Sequence, residues 1–331
     1  MKPQCSIRVA SMALIASLLS ACGGGGSANS ISSQSVTYTA AASAGELVKY
    51  IVDTTKLTYA YEITQSAYGL EGKTGTGTLT KNADGSYRLS GIENGSIVIL
   101  ESGLMLGSVA IDLNTDGTDE VVPVLGAAQT VDSTQDAAGT YNYISRRSVG
   151  GNWSNDYGTI QIKPDGSWTG CSETNLGDSN ASCANPVGGI TSPFTAGLSK
   201  VYVGDATTPA GTIFLFKDNT TGQKALFLDL NGATSLGTGA IFGATQQLPS
   251  SVNGRWHYLH NNGLRGYVDV NGTSFTDHLL GYPQTSGTFT QNSPWTGLAT
   301  TSDGFVLMPT GSGMYAGYFG VDKTISIGIR P

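Results

Sequence analysis

Turn dipeptides typical of β-hairpins recur along this chain and constrain its fold more than any other feature. Asp-Gly or Asn-Gly pairs stand between short runs in which apolar and polar residues alternate, as at 84–85, 165–166 and 271–272. Such pairs suit two-residue turns between antiparallel strands, because glycine adopts positive φ at little cost. Alternation of period two, as in Thr159-Ile160-Gln161-Ile162-Lys163, is typical of strands with one buried face. We therefore expect an all-β protein of antiparallel meander modules that close into small β-barrels or sandwiches, with roughly eighteen short strands.

The composition agrees with a turn-rich β protein and excludes several classes of partner. Glycine makes up 46 of the 331 residues, about twice its usual share. The formal net charge is −7 and only 12% of residues are charged. An acidic chain with few basic residues argues against nucleic acid and against electrostatic docking on anionic lipid. The 15 Tyr and 4 Trp argue against disorder.

Two segments carry strand and turn signals in the same order and indicate an internal repeat. Thr58-Tyr59-Ala60-Tyr61 precedes Asp84-Gly85-Ser86-Tyr87, and Thr140-Tyr141-Asn142-Tyr143 precedes Asp165-Gly166-Ser167-Trp168. A shorter version runs from Gly254 to Phe275, although strand-and-turn periodicity alone also produces such matches. We expect one or two helical turns between Gly45 and Asp53. The predicted modules are an N-terminal β-module at 46–130, a middle β-module at 131–249 and a C-terminal β-module at 250–331.

Cys171 and Cys183 enclose a short polar segment of the middle module. In an oxidising compartment, a disulfide is the expected state of such a pair. A loop of this length would stabilise the fold by about 3 kcal/mol. A metal site is the alternative, but no His lies near either thiol in the sequence.

The N-terminus has the pattern of a processed export signal. Lys2 and Arg8 precede an apolar run that ends in Leu19-Ser20-Ala21-Cys22. The run is too short to span a bilayer, which needs about 20 residues. Removal of residues 1–21 lowers the formal net charge from −7 to −9, because only the two basic residues leave.

This pattern resembles the signals of bacterial lipoproteins, and the Cys-Gly-Gly-Gly-Gly opening is similar to that of the transferrin-binding and factor H-binding surface lipoproteins. The resemblance covers about the first thirty residues. It implies a signal peptide at 1–21, a palmitate-bearing lipid anchor on Cys22 and a flexible tether at 22–45. Because Gly23 is not acidic, it also implies an outer-membrane lipoprotein of the cell envelope, on the periplasmic face or the cell surface. An ordinary secretory signal with a fortuitous Cys is the alternative.

One acidic stretch has oxygen-bearing side chains at alternate positions, as a hard cation such as Ca²⁺ requires. It resembles the Asp-x-Asn-x-Asp-Gly loops of EF-hand-like and extracellular β-repeat proteins, but Pro123 stands where an EF-hand has its final Glu. An acidic hairpin turn is the alternative. The resemblance implies these calcium ligands: Asp112, Asn114, Asp116, Asp119 and Glu120. No other cofactor is expected.

Catalytic motifs are absent from the sequence. There is no Gly-x-Ser-x-Gly elbow and no His-Glu-x-x-His. The three histidines, His257, His260 and His278, fall in the last module, and His257 and His260 would point to opposite faces of a strand. We assign no catalytic residue and leave enzymatic activity uncertain.

Three aromatic residues in turns are candidate ligand contacts: Trp153, Tyr157 and Trp295. Exposed rings beside Asn and Asp suit carbohydrate or protein, because a ring offers contact area at low entropy cost. The alternative is that they cover module cores. Together these features predict a non-catalytic, membrane-tethered module that binds a protein, glycan or small ligand. A lipocalin-like carrier of a small hydrophobic ligand and a secreted hydrolase are the alternatives.

Overall fold

The structure is a computed structural model that describes residues 35–92, 96–99, 103–112, 117–172, 183–247, 249, 251–318 and 324–330, with 96–99 described by their backbone alone. The prediction of an all-β protein built from antiparallel barrels is confirmed. The described residues form 24 strands and one short helix, and the strands close into three barrels of eight.

Barrel 1 is an up-and-down meander in which β8 pairs back onto β1. Its strands are β1 Val36–Ala42, β2 Glu46–Asp53, β3 Thr58–Ser66, β4 Thr74–Lys81, β5 Tyr87–Leu89, β6 Ser96–Ile99, β7 Leu104–Ile111 and β8 Glu120–Ala127. Two expectations were wrong here. The expected tether, 22–45, contains β1, and the expected helical turns at 45–53 are β2. Both strands are buried on one or both faces, so tertiary packing decides their conformation.

Barrels 2 and 3 repeat this topology. Barrel 2 follows the short helix α1 Thr134–Ala137, which Ser133 caps by accepting a hydrogen bond from the backbone N–H of Asp136. Its strands are β9 Gly139–Val149, β10 Asn152–Ile162, β11 Ser167–Ser172, β12 Val187–Thr191, β13 Leu198–Val203, β14 Gly211–Lys217, β15 Lys224–Asn231 and β16 Thr238–Thr245. Those of barrel 3 are β17 Gly254–His260, β18 Arg265–Asn271, β19 Ser274–Leu279, β20 Thr285–Gln291, β21 Ala299–Thr301, β22 Val306–Pro309, β23 Met314–Tyr318 and β24 Ile325–Ile329.

The barrels belong to one compact unit and share a hydrophobic core between them. In β14, Ile213 and Leu215 belong to the core inside barrel 2, whereas Phe214 and Phe216 belong to the shared core. Strands β7 and β24 likewise contribute apolar side chains to the shared core. Such strands are apolar on both faces, because one face fills a barrel and the other packs against a neighbouring barrel.

Glycine permits a close backbone approach between barrels 1 and 2. Gly45 lies in the β1–β2 turn with φ +96°, and an ideal Cβ on it would lie 2.5 Å from the amide nitrogen of Gly239. Any other residue would both strain this turn and collide with β16.

Candidate functional site

Barrel 3 encloses a cavity of about 330 Å³. Trp256 and Val252 are buried and lie toward the end where β17 begins. Thr285, Ser302 and Asp303 line the opposite end and are exposed, so the cavity opens there. The β19–β20 connection at this end exposes two large apolar side chains, Leu280 and Tyr282.

Aromatic rings make up much of the cavity wall. Six Phe, Tyr and Trp side chains line it: Trp256, Tyr258, Phe275, Phe289, Phe305 and Tyr315. An ideal Cβ on Gly287 would lie 2.7 Å from the Phe275 ring, and one on Gly317 would lie 2.4 Å from the Phe305 ring. Because a glycine lies beneath each of these two rings, Phe275 and Phe305 lie against the wall and the lumen stays open.

A hydrogen-bonded polar group interrupts this apolar wall. The hydroxyl of Tyr258 donates to Oδ1 of Asp277 at 2.6 Å, crossing the intervening strand over Gly266. The ring of His260 meets that of Tyr258 edge-on, with centroids 4.8 Å apart. Burial raises the pKa of Asp277 and that of Tyr258. Among the described residues that line the cavity, none is Lys or Arg, so its fixed charges are acidic.

The interiors of the other barrels are more crowded. Barrel 2 encloses a cavity of about 140 Å³, in which Arg147 forms an ion pair of 2.6 Å with Asp156. Four buried tyrosines fill much of barrel 1: Tyr38, Tyr50, Tyr59 and Tyr61. The cavity of barrel 3 is therefore the larger of these two and the better candidate for a ligand.

The candidate aromatic residues do not form one site. Tyr157 and Trp295 lie against each other between barrels 2 and 3, with ring centroids 5.1 Å apart. Both pack against the shared core, so they hold two barrels together. Trp153 lies elsewhere, beneath the guanidinium of Arg146, whose central carbon is 3.8 Å from the ring centroid.

Part of the predicted calcium loop is visible. Oδ2 of Asp112 accepts a hydrogen bond of 2.9 Å from the amide of Gly117, and Asp119 forms an ion pair of 2.8 Å with Lys73. Asn114 and Asp116 lie outside the described residues, while Glu120 begins β8. Within the described ranges, no cluster of three or more His, Cys, Asp or Glu side chains is arranged to hold a metal ion. Calcium binding stays a prediction.

The histidines occupy different surroundings. His260 lines the cavity, whereas His257 is buried on the other face of β17. Burial lowers the pKa of His257. His278 stacks on Tyr267 with centroids 4.4 Å apart, and its Nε2 lies 3.5 Å from Oδ2 of Asp269.

The predicted disulfide is confirmed: Cys171 in β11 is bonded to Cys183, which precedes β12. Residue Cys22 and the predicted signal peptide lie outside the described residues. Where the structure describes the chain, it contains no helix long and apolar enough to cross a membrane.

No protein-family model matches the chain, and no curated protein matches it significantly.

Proposed function

We propose that barrel 3 binds a small, mostly apolar molecule that carries a hydrogen-bond donor. The observation that carries this proposal is the open cavity of about 330 Å³ whose wall contains six aromatic rings. A volume of this size lies at the lower end of the range for small-molecule sites, about 300–1,000 Å³. The ligand is therefore small enough to be enclosed by a single barrel.

The apolar wall provides the affinity. A ligand that enters the lumen removes its own apolar surface and that of the rings from water, which contributes about 25 cal/mol per Å². The exposed Leu280 and Tyr282 extend the apolar surface to the open end of the barrel. This arrangement favours a carrier or sensor of hydrophobic ligands over a barrel that is only structural.

The hydrogen-bonded pair of Asp277 and Tyr258 sets the orientation of the ligand in the cavity. Asp277 accepts the hydrogen bond of Tyr258 inside an apolar wall, and the described lining contains no Lys or Arg that would pair with it. A ligand with a protonated amine would form a charge-assisted hydrogen bond there, which is stronger than a bond between neutral groups. A carboxylate ligand would be repelled by Asp277 and by Asp303 at the rim.

A fluorescence titration tests binding in the lumen. We expect binding of 1-methylnaphthalene beside Trp256, the one tryptophan that lines this cavity, to change the wavelength and intensity of the tryptophan emission. Val268→Trp, which fills the lumen, should abolish binding. Tyr267→Trp adds the same side chain at the neighbouring residue, which does not line the cavity, and should leave binding unchanged. Equal binding by the Val268→Trp variant, or no binding by the wild type, would contradict the proposal.

We also propose that the barrels are tethered to the outer membrane through a lipid on Cys22. The support is the sequence Leu19-Ser20-Ala21-Cys22 after a short apolar run, followed by a glycine-rich segment. Cys22→Ala should abolish incorporation of labelled palmitate and release the protein from the membrane fraction. Cys5→Ala is the matched control and should retain the label. Palmitate labelling of the Cys22→Ala variant would contradict the proposed lipid anchor.

A further inference from the structure

A groove of about 600 Å³ lies where the three barrels meet. Tyr68 comes from the segment after β3 of barrel 1, Arg146 and Trp153 from β9 and β10 of barrel 2, and Asn261 from the β17–β18 turn of barrel 3. This groove is distinct from the lumen of barrel 3, because the two share no lining residue. Its formation depends on the packing of all three barrels.

Arg146 has the most unusual surroundings in this groove. Its guanidinium covers the indole of Trp153, and Nη1 donates a long hydrogen bond of 3.5 Å to the carbonyl oxygen of Ser43. Burial lowers the pKa of Arg146 to about 10. Among the described residues, no carboxylate lies within ion-pair distance of this guanidinium. A desolvated cation without a counter-ion is costly unless something else supplies the charge.

Two other arginines of the described residues do have carboxylate partners. The neighbouring Arg147 is 2.6 Å from Asp156, and Arg255 is 2.8 Å from Asp269. Glu120 also lines the groove, but its charge is not among those that shift the pKa of Arg146. Arg146 is therefore available to an anion that enters the groove.

The rest of the lining suits a ligand with many hydroxyl groups. Hydroxyl and amide side chains are provided by Ser148, Thr234, Thr238 and Asn261, and four glycines expose backbone groups. Tyr68 and Trp153 add aromatic surface against which a sugar ring can lie. A guanidinium presents two parallel donors to a carboxylate, which gives specificity as well as energy.

We infer that this groove is a second binding site, for a saccharide that carries a carboxylate, with Arg146 as the anion contact. The inference does not depend on the ligand of barrel 3. It places Trp153, one of the sequence candidates for glycan contact, in a site that contains the positive charge of Arg146.

An array of glycans tests the inference with the purified protein. The array carries uronate-bearing and sialate-bearing glycans beside neutral glycans of the same backbone, and the strongest acidic glycan is then titrated by calorimetry. We expect acidic glycans to bind at least about tenfold more tightly than their neutral counterparts, a difference of about 1.4 kcal/mol. Arg146→Gln should remove this preference, and Arg255→Gln in barrel 3 should retain it.

Two further variants keep the test decisive if Arg146→Gln is unstable. Arg146→Lys keeps the charge without the two parallel donors and should bind the acidic glycan with intermediate affinity. Trp153→Phe keeps an aromatic ring of smaller area and should weaken acidic and neutral glycans alike. The inference is overturned if no acidic glycan binds, if acidic and neutral glycans bind equally, or if a folded Arg146→Gln protein keeps the preference.

Discussion

Nε1 of Trp295 donates a hydrogen bond of 2.8 Å to Oδ1 of Asn142 and thereby joins barrel 3 to barrel 2. The same oxygen accepts a bond of 3.0 Å from Gln246, and Nδ2 of Asn142 donates to the carbonyl oxygen of Thr296 at 2.9 Å. Asn142 is fully buried. A buried polar side chain with its partners satisfied fixes the relative position of two barrels more specifically than apolar contact does.

Removal of this amide should loosen the contact between barrels 2 and 3. Asn142→Ala leaves the buried donor of Trp295 without its acceptor, which we expect to cost about 1–3 kcal/mol of unfolding free energy. Urea unfolding followed by tryptophan fluorescence measures the loss. Asn152→Ala, at an exposed position of β10, is the control and should change stability by less than about 0.5 kcal/mol. Equal stability of the two variants would contradict this role of Asn142.

The contact between barrels 1 and 2 should be sensitive to a single methyl group. Gly45→Ala introduces both a strained φ and a collision with Gly239. Gly85→Ala introduces a similar strain at φ +87°, but no atom lies within 4 Å of the added Cβ. We expect Gly45→Ala to lower the unfolding free energy by about 1–3 kcal/mol more than Gly85→Ala does. Thermal unfolding of both variants measures this difference, and similar losses would mean that the two barrels do not meet at Gly45.

Two buried carboxyl groups lie at the same contact. Oε1 of Glu46 accepts a hydrogen bond of 3.2 Å from Ser66, and Asp229 of barrel 2 accepts one from Gln65 of barrel 1. Burial, and then repulsion by Asp229, raises the pKa of Glu46 from 4.5 to about 8. Burial also raises the pKa of Asp229 to about 7. Both groups are therefore protonated in the folded protein at pH values where they are ionised in the unfolded chain.

Stability should consequently fall as the pH rises. Between about pH 4.5 and 8 the folded state holds more protons than the unfolded state, so the unfolding free energy decreases with pH. Glu46→Gln should reduce this decrease, leaving the part due to Asp229. Melting temperatures from pH 4.5 to 8.5 give the two slopes, with Glu62→Gln on the exposed face of β3 as the control. A Glu46→Gln slope as steep as that of the wild type would show that Glu46 does not titrate in this range.

Asp277 should make the lumen of barrel 3 selective for amines. We expect 1-naphthylmethylamine to bind about tenfold more tightly than 1-methylnaphthalene, because a charge-assisted hydrogen bond contributes about 1.5–3 kcal/mol. Asp277→Asn should abolish this preference and preserve binding of the neutral probe. Asp269→Asn changes the adjacent strand without touching the lining and should preserve the preference. Loss of 1-methylnaphthalene binding in every variant would instead contradict the proposal that the cavity of barrel 3 is a binding site.

The sequence predicts the class of fold because hairpins are local. Each Asp-Gly or Asn-Gly turn, together with the alternating residues on either side of it, is enough to predict one hairpin. The β10–β11 hairpin around Gly166 is an example. Contacts between barrels are not local. The segment Val36–Ala42 ends in three alanines that are buried on both faces, because Ala40 and Ala42 belong to the core of barrel 1 and Ala41 belongs to the shared core. These small side chains show no strand periodicity, so the sequence alone favours a tether here.

The difference between local and non-local contacts also explains which site residues the sequence could predict. The sequence predicts Tyr157 and Trp295 as ligand contacts, but it does not predict their contact with each other, because they lie far apart in the chain. The pairing of Asp277 with Tyr258 is not visible in the sequence, because Tyr258 lies two strands away. The signal in the sequence that favours the carrier alternative, and with it the cavity, is the alternation of glycine with large apolar residues on inward faces, as in Tyr315 and Gly317.

A crystal structure of the protein with 1-naphthylmethylamine tests the central claim most directly. The account predicts the naphthalene between Phe275 and Phe305 in the lumen of barrel 3, with its nitrogen within hydrogen-bond distance of Asp277. A lumen closed by collapsed side chains, with the probe bound on an outer surface, would contradict it.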